Sequence, residues 1–279
     1  MLPKTLIRRE PGLGQWCILS AYRGSIAHGM YAPKSSPTSI DDKDLMVVCV
    51  PPPEYYLGLT EYGSHGTVEV KQGAWDIVIY EVRKMTRMLL EGNPNVLSLL
   101  WVDPNHYLTV TRPGKLLIKS RKLFVGRHVY HSFAGYANSQ LKRMTHLAFK
   151  GYMGEKRKRL VERFGYDTKN AAHLIRLLRM CIEFLADGEL RVTRPDAAEL
   201  LTIKQGQWTL ERVKKEADQL FAEAKRAYKK SKLPDAPQHK HANTLCVRII
   251  QTAWKTREGK QEAGSKLLDK VLHKCYTYS

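Results

Sequence analysis

A short apolar segment rich in valine is the feature that most constrains the fold. Residues 44–50 read Asp-Leu-Met-Val-Val-Cys-Val, and three consecutive prolines at 51–53 follow them. An apolar run without the alternation of a half-exposed strand predicts a strand that is buried on both faces. Proline cannot donate the hydrogen bonds of a sheet, so the strand should end there.

The segments after this strand predict a hairpin and two helices. Residues 67–80 carry two apolar runs separated by Gly73, which indicates two strands joined at a turn. A helical segment follows and should end at Gly92. Asn93 and Pro94 then supply a cap and a first residue for the next helix.

From about residue 130 the periodicity is helical. The apolar residues of the best-defined segment recur at helical spacing: Leu174, Leu177, Leu178, Cys181, Ile182 and Leu185. We therefore predict an α+β fold. A mixed α/β domain should occupy residues 1–128, and a mostly helical domain should occupy residues 129–279.

The charge of the chain indicates a polyanionic partner. Lysine and arginine number 46 against 27 aspartate and glutamate residues, which gives a formal net charge of +19. Such a field attracts and steers polyanions. Nucleic acid or a polyphosphate ligand is the favoured partner, and the alternative is a protein that is simply basic.

Cysteine usage and hydropathy argue against several other classes of protein. The five cysteines are odd in number and form no CxxC pair, which disfavours a disulfide framework or a thiolate zinc site. No stretch approaches the roughly 18 apolar residues of a membrane span, and the N-terminal segment lacks a signal core. We expect a cytoplasmic protein without a membrane partner, and its oligomeric state is unknown.

A glycine-serine turn and a pair of carboxylates carry the clearest chemical signal. Gly24 and Ser25 form a tight turn, and Gly29 keeps the backbone open just beyond it. Backbone N–H groups and a hydroxyl in such a turn can hold phosphate oxygens. Asp42 and Asp44 open the buried strand, and side chains two residues apart on a strand point to the same side. Two adjacent carboxylates repel each other unless a cation lies between them.

A third carboxylate fits the same design. Asp76 opens the second strand of the hairpin, and it completes a triad if that strand lies beside the strand of Asp44. Three carboxylates could hold two Mg²⁺ (or Mn²⁺) ions against a triphosphate. Each part alone is common, since a DxD pair at a strand edge is often a solvated turn, but the ordered combination is specific.

This ordered set of residues resembles the nucleotidyltransferases of the DNA polymerase β superfamily. Within them it is most similar to the family named for RNA repair pathway polymerase-β-like proteins. The residues that match are Gly24, Ser25, Ala27, Gly29, Asp42, Asp44 and Leu45. Residues 75–102 and 166–180 resemble two later segments of that family.

The resemblance implies a fold, an activity and roles for individual residues. Residues 1–128 would form a polymerase-β-like core, a mixed sheet with flanking helices. The activity would be a two-metal transfer of a nucleoside monophosphate from an NTP, with release of pyrophosphate. The site residues, all read from the matching motif, would be the phosphate-binding turn Gly24 and Ser25, the metal-binding and catalytic pair Asp42 and Asp44, and the third carboxylate Asp76.

The loop before the carboxylate pair is several residues longer than the family pattern. Asp41 is adjacent to Asp42, so either could match, and Asp42 is chosen because it forms DxD with Asp44. Met46 and Val47 stand where the family often has arginine and glycine.

A later motif adds positive charge. Lys169, His173 and Arg176 match the K…H…R helix of the family, which implies nucleotide binding. Spacings of four and three residues place them on one helix face, opposite the leucines. The alternative is a solvated face of the helix.

The densest basic run suggests a nucleic-acid interface. It contains Lys156, Arg157, Lys158 and Arg159, with tyrosines nearby in the sequence. Basic side chains mixed with aromatic ones suit a single-stranded or tRNA-like RNA, although such a run can also be only a solvated face. A second basic run at 224–232 more simply supports solubility.

Together these features predict a nucleotidyltransferase that adds NMP to an acceptor hydroxyl, with an RNA 3′ end as the favoured acceptor. Two other hypotheses stay open. The acceptor could be a protein or a small molecule, or the chain could bind RNA without catalysis.

Overall fold

The fold is organised around a mixed sheet. The structure is a computed structural model that describes residues 4–31, 42–145 and 155–276. Within these residues the sheet has five strands: β1 (Cys17–Tyr22), β2 (Lys43–Cys49), β3 (Thr67–Gln72), β4 (Trp75–Glu81) and β5 (Tyr107–Val110). They lie side by side in the order β3-β4-β2-β1-β5.

The central pair of strands is parallel. β2 and β4 run in the same direction, with Asp44 directly opposite Asp76. The other neighbouring pairs, β1–β2, β1–β5 and β3–β4, are antiparallel. The hairpin of β3 and β4 turns at Gly73, which has φ +60°, as the sequence predicted.

Strand β2 is buried on both faces, which confirms the prediction from its apolar run. Met46 and Val48 face the larger apolar cluster, which the helices complete. Leu45, Val47 and Cys49 face a second cluster on the other side, with Leu6, Leu13 and Tyr62 among its members. By the same alternation, Asp44 points to the face that carries Met46.

The helices follow from capping residues and apolar spacing in the sequence. Asn93 accepts hydrogen bonds from the backbone N–H groups of Asn95 and Val96, so a helix begins at Pro94 as predicted. The described helices are α1 (Lys4–Arg9), α2 (Gly24–Ala27), α3 (Glu54–Leu57), α4 (Val82–Leu90), α5 (Pro94–Ser98), α6 (Arg112–Lys119), α7 (Val129–Thr145), α8 (Glu155–Phe164), α9 (Thr168–Asp187), α10 (Ala197–Lys204), α11 (Leu210–Lys230) and α12 (His239–Tyr276). Short 3₁₀ turns occupy Pro104–His106 and Arg121–Phe124.

Helix α9 is the central element of the helical part. It packs against α7, α8, α10 and α11. Its predicted apolar stripe is buried, since Leu174, Leu177 and Leu178 are 0% exposed. The helix begins at the Asp167 cap and ends at Gly188, which adopts a left-handed conformation with φ 71°. The fold is therefore α+β, with a helical second half.

The two halves of the chain share one apolar cluster. That cluster contains residues from both sides of position 128, and α12 packs against α4 and α6. Trp254 on α12 donates a hydrogen bond to the Pro51 carbonyl at 2.9 Å, and Arg257 donates one to the Val50 carbonyl at 2.6 Å. The division into domains at residue 128 stays a prediction.

Two further findings concern hydropathy and the thiols. In the described ranges, no helix combines the length and apolar character needed to cross a membrane. The described cysteine side chains, Cys17, Cys49, Cys181 and Cys246, are buried and form no disulfide. Burial raises the pKa of Cys17 to about 11, so this thiol stays protonated at neutral pH.

The contribution of the buried leucines of α9 to the free energy of unfolding can be tested by mutation. Leu178→Ala should lower the free energy of unfolding by about 2–5 kcal/mol, because it opens a cavity in the helical cluster. Leu59→Ala is the matched control: Leu59 is 104% exposed, so the change should stay within about 0.5 kcal/mol. Urea unfolding would measure both, and equal losses would contradict the packing described.

Candidate active site

A cavity of about 690 Å³ lies between the face of the sheet that carries Asp44 and the helices α7 and α9. Its walls include the turn after β1, the starts of β2 and β4, parts of α5 and α7, and the first half of α9. The site residues predicted around a nucleotide all line it: Gly24, Ser25, Asp42, Asp44, Asp76, Lys169, His173 and Arg176. The structure thus brings these residues together, while their individual roles stay predictions.

Three carboxylates lie on the sheet side of the cavity. Asp44 and Asp76 are direct neighbours in the parallel register, and Asp42 precedes Asp44 by two residues. Burial raises the pKa of Asp44, the positive charges of Arg23 and Lys169 oppose that rise, and the nearby Asp76 and Asp42 add to it. Asp44 is therefore a desolvated carboxylate that a cation would stabilise. Asp41, the alternative to Asp42, lies outside the described residues.

Two cations contact Asp76 from the cavity rim. Arg23 Nη2 lies 3.3 Å from Asp76 Oδ1, and Lys71 Nζ lies 3.6 Å from Oδ2. The backbone N–H of Arg23 also donates a hydrogen bond to the Asp44 carbonyl at 3.0 Å. Arg23 thereby ties the turn to both strands that carry carboxylates.

The predicted glycine turn forms the one-turn helix α2 (Gly24–Ala27), and its first residue, Gly24, lies directly against Asp44. Gly24 has φ +61°, and a Cβ at this position would lie 2.2 Å from Asp44 Oδ2. Only glycine permits both the conformation and the close approach. The hydroxyl of Ser25 is buried and finds no hydrogen-bond partner in the described part of the chain. A buried hydroxyl with spare hydrogen-bonding capacity beside such a turn suits a phosphate oxygen.

The motif residues of α9 face the cavity rather than bulk water. Lys169 and His173 are half-buried, and Arg176 is 5% exposed. The alternative of a solvated helix face is therefore wrong for Arg176. The ring of His173 packs edge-on against Tyr136 with 5.2 Å between the centroids.

His28 has a larger role than its sequence position suggests. A loop histidine is usually incidental, yet His28 is 5% exposed. Its Nδ1 lies 2.8 Å from the Val192 carbonyl oxygen, and its Nε2 lies 2.7 Å from Arg176 Nη1. Both ring nitrogens therefore have partners, and the glycine turn is connected to α9.

Several polar residues of the cavity were not found from the sequence. Lys204 is 8% exposed, and its Nζ donates a hydrogen bond to the Met30 carbonyl at 3.2 Å. Lys71 could have been found, because the turn at Gly73 places it opposite Asp76. Asn95, Gln140 and Arg143 also line the cavity, and none of them was predicted as a site residue.

The donor set suits a hard cation, although no site is ready-made. Mg²⁺ and Mn²⁺ prefer oxygen ligands, which Asp42, Asp44 and Asp76 would supply. Across residues 4–31, 42–145 and 155–276, no three His, Cys, Asp or Glu side chains converge closely enough to hold a metal ion. Arg23 and Lys71 neutralise Asp76 in this arrangement, and a bound cation would take over that role.

The predicted nucleic-acid run lies on α8. Lys158 is half-buried and Arg159 is exposed, and neither lines the cavity. The side chains of Lys156 and Arg157 lie outside the described part of the structure. RNA binding by these four residues remains a prediction.

The contact between Gly24 and Asp44 can be tested with a matched pair of glycines. Gly24→Ala and Gly73→Ala each place alanine at positive φ, which costs about 1–2 kcal/mol in unfolding free energy. A Cβ at Gly73 meets nothing within 4 Å, whereas one at Gly24 must displace Asp44. Gly24→Ala should therefore lose roughly 1–3 kcal/mol more in urea unfolding. Equal losses would show that the two groups are not in contact.

The burial of Asp44 predicts that replacing it by asparagine raises the free energy of unfolding, and that this gain depends on pH. A carboxyl whose folded pKa is raised favours folding below its unfolded pKa of about 3.9 and loses that contribution as pH rises through the folded pKa. Asp44→Asn removes the cost of the ionised form. The variant should unfold at higher urea than the parent protein at pH 7, with a smaller difference at pH 4. A variant that is less stable at pH 7 would contradict the buried-charge argument.

A family model described as the RNA repair pathway DNA polymerase beta family matches residues 15–273 of the chain. No curated protein matches the chain. The match spans the sheet, the glycine turn, the three carboxylates and the motif of α9. With this agreement between site and sequence, the chain belongs to the RNA repair pathway DNA polymerase beta family.

Proposed function

We propose that the protein is a metal-dependent nucleotidyltransferase that transfers NMP from an NTP to the 3′ hydroxyl of an RNA and releases pyrophosphate. Family membership supports a nucleotidyltransferase-type function. The observation that carries the proposal is the placement of Asp44 opposite Asp76, with the Gly24–Ser25 turn pressed against Asp44 in one cavity.

The chemistry divides between the two sides of the cavity. The acceptor oxygen forms a bond to the α-phosphorus, and the bond from that phosphorus to the pyrophosphate oxygen breaks. The hydroxyl proton passes to a base, a role that Asp76 would serve. Mg²⁺ or Mn²⁺ held by Asp42, Asp44 and Asp76 would neutralise charge on the phosphates and align the hydroxyl. The Ser25 hydroxyl and the α9 cations would hold the leaving phosphates. Asp76, at the cavity rim beside Lys71, would face the acceptor.

The proposed acceptor is RNA. The net charge of +19 favours a polyanion, and the description of the family places it in an RNA repair pathway. Tyr22 lines the cavity and stacks on Trp75, and Lys43 lies over Trp75 at 5.4 Å from the ring centroid. Aromatic and basic side chains beside the carboxylates suit an RNA end.

The test is transfer from each of four α-labelled NTPs to total cellular RNA with Mg²⁺ or Mn²⁺. Label should appear on RNA and depend on one NTP. Asp44→Asn and Asp76→Asn should each reduce transfer by roughly 10²–10³-fold or more, because charge stabilisation is lost in the transition state. Asp218→Asn, which changes an exposed carboxylate on α11, should leave transfer unchanged.

The result also separates the other hypotheses. Chelation with EDTA should abolish labelling if the reaction needs a divalent cation. Label on a protein or a small molecule would replace the RNA acceptor by that class. RNA binding without label on any acceptor would replace catalysis by binding, and full transfer by both Asn variants would overturn the assignment of the carboxylates.

A further inference from the structure

Arg176 is a buried cation that pairs with no anionic side chain among the described residues. It lines the cavity from α9 with 5% of its surface exposed. Its Nη1 donates hydrogen bonds to His28 Nε2 at 2.7 Å and to Met180 Sδ at 3.2 Å. In the part of the chain that the structure describes, it forms no ion pair with a carboxylate. Burial of a charge without a counter-charge lowers the stability of the folded protein, which suggests that Arg176 is kept for function.

Two neighbouring arginines, unlike Arg176, form ion pairs with carboxylates. Arg194, with a side chain that is 1% exposed, pairs with both oxygens of Glu183 at 2.6 and 2.9 Å. Arg179 Nη1 lies 2.8 Å from Asp196, and the same guanidinium also pairs with Glu199 and Glu216. Carboxylates are thus plentiful around α9, but Arg176 contacts a histidine instead.

The hydrogen bonds of His28 determine which of its ring nitrogens carries the hydrogen. The Val192 carbonyl can only accept, so His28 Nδ1 carries the hydrogen and Nε2 offers its lone pair to Arg176. Burial, followed by the charge of Arg176, lowers the pKa of His28 well below its usual range, so the ring is neutral at pH 7. Burial also lowers the pKa of Arg176 to about 9, which leaves the guanidinium charged at pH 7.

A neutral partner orients a guanidinium without cancelling its charge. A carboxylate in the place of His28 would bind Arg176 more strongly, but it would also repel an incoming phosphate. The backbone reinforces the position of His28, because Arg194 N donates a hydrogen bond to the His28 carbonyl at 3.4 Å. His28 is therefore fixed to residues 192–194 by its ring and by its backbone.

We propose that His28 is a positioning residue that holds Arg176 in the cavity as an unneutralised cation, ready to bind the terminal phosphates of the nucleotide. The identity of the phosphate ligand rests on the proposed function. The anion affinity created by the His28–Arg176 pair does not, because it needs neither transfer nor a metal.

The test compares two isosteric replacements, His28→Gln and His28→Glu. Gln and Glu have the same shape, and both can present an oxygen to Arg176. They differ in charge and in the amide N–H of Gln, which can still donate to the Val192 carbonyl. The probe is inorganic tripolyphosphate in the presence of EDTA, with binding measured by calorimetry at pH 7. His28→Glu should bind it about 10- to 100-fold more weakly than His28→Gln, because Arg176 is then neutralised. Thermal unfolding should show that both variants remain folded, so that the binding difference is not caused by unfolding.

A second variant, at Arg176, keeps the proposal testable even if the His28 variants misfold. Arg176→Met replaces the guanidinium by an apolar side chain of similar length. The protein should stay folded, because removal of the buried charge offsets loss of the hydrogen bond to His28. Its affinity for tripolyphosphate should fall by about tenfold or more. Equal binding by the Gln and Glu variants, or parental binding by Arg176→Met, would overturn the proposal. Charge-dependent binding in a protein that transfers no nucleotide would overturn the proposed function alone.

Discussion

The parallel pairing of β2 with β4 is the constraint on which the site depends. Its register places Asp44 beside Asp76 at the open end of the sheet, where side chains on one face of the sheet project into the cavity. A slip of one residue would turn every side chain of one strand to the opposite face. The apolar residues that follow, buried in two separate clusters, therefore fix the geometry of the carboxylates as well as the stability of the sheet.

The cavity combines two charges that are each unfavourable in the unliganded protein. On the sheet side, burial and neighbouring carboxylates disfavour the ionised form of Asp44. On the helix side, Arg176 is buried against a neutral histidine. Among the described residues, Asp44 and Arg176 are thus on opposite sides of the cavity and form no ion pair with each other, whereas Asp76 pairs with Arg23. Polar groups under such strain are typical of functional sites, because a ligand with the complementary charges relieves both costs.

Much of the sheet could be predicted from the sequence because its signals are local. The apolar run before Pro51 defines β2, and the turn at Gly73 defines the hairpin of β3 and β4. The carboxylates could be found for the same reason, since each opens an apolar strand. The order of the strands was not predicted, and only the proximity of the strands of Asp44 and Asp76 was anticipated.

The rest of the site depends on contacts between distant parts of the chain. His28 and Arg176 are 148 residues apart, and Lys204 lies 174 residues from the carbonyl it contacts. Neither pair carries a periodicity or a capping signal that a sequence could reveal. Burial of Arg176 likewise follows from helices packed around α9, which hydropathy alone does not specify for an arginine.

The attachment of α12 has a consequence for how the protein is made. Trp254 and Arg257 bind backbone carbonyls at the end of β2, more than 200 residues earlier in the chain. During synthesis the strands with the carboxylates leave the ribosome long before the helix that caps them. Since domains acquire structure as they emerge, a sheet that forms early has these carbonyls uncovered until α12 has been synthesised. The carbonyls at the end of β2 therefore gain these hydrogen-bond donors only after more than 200 further residues have been synthesised.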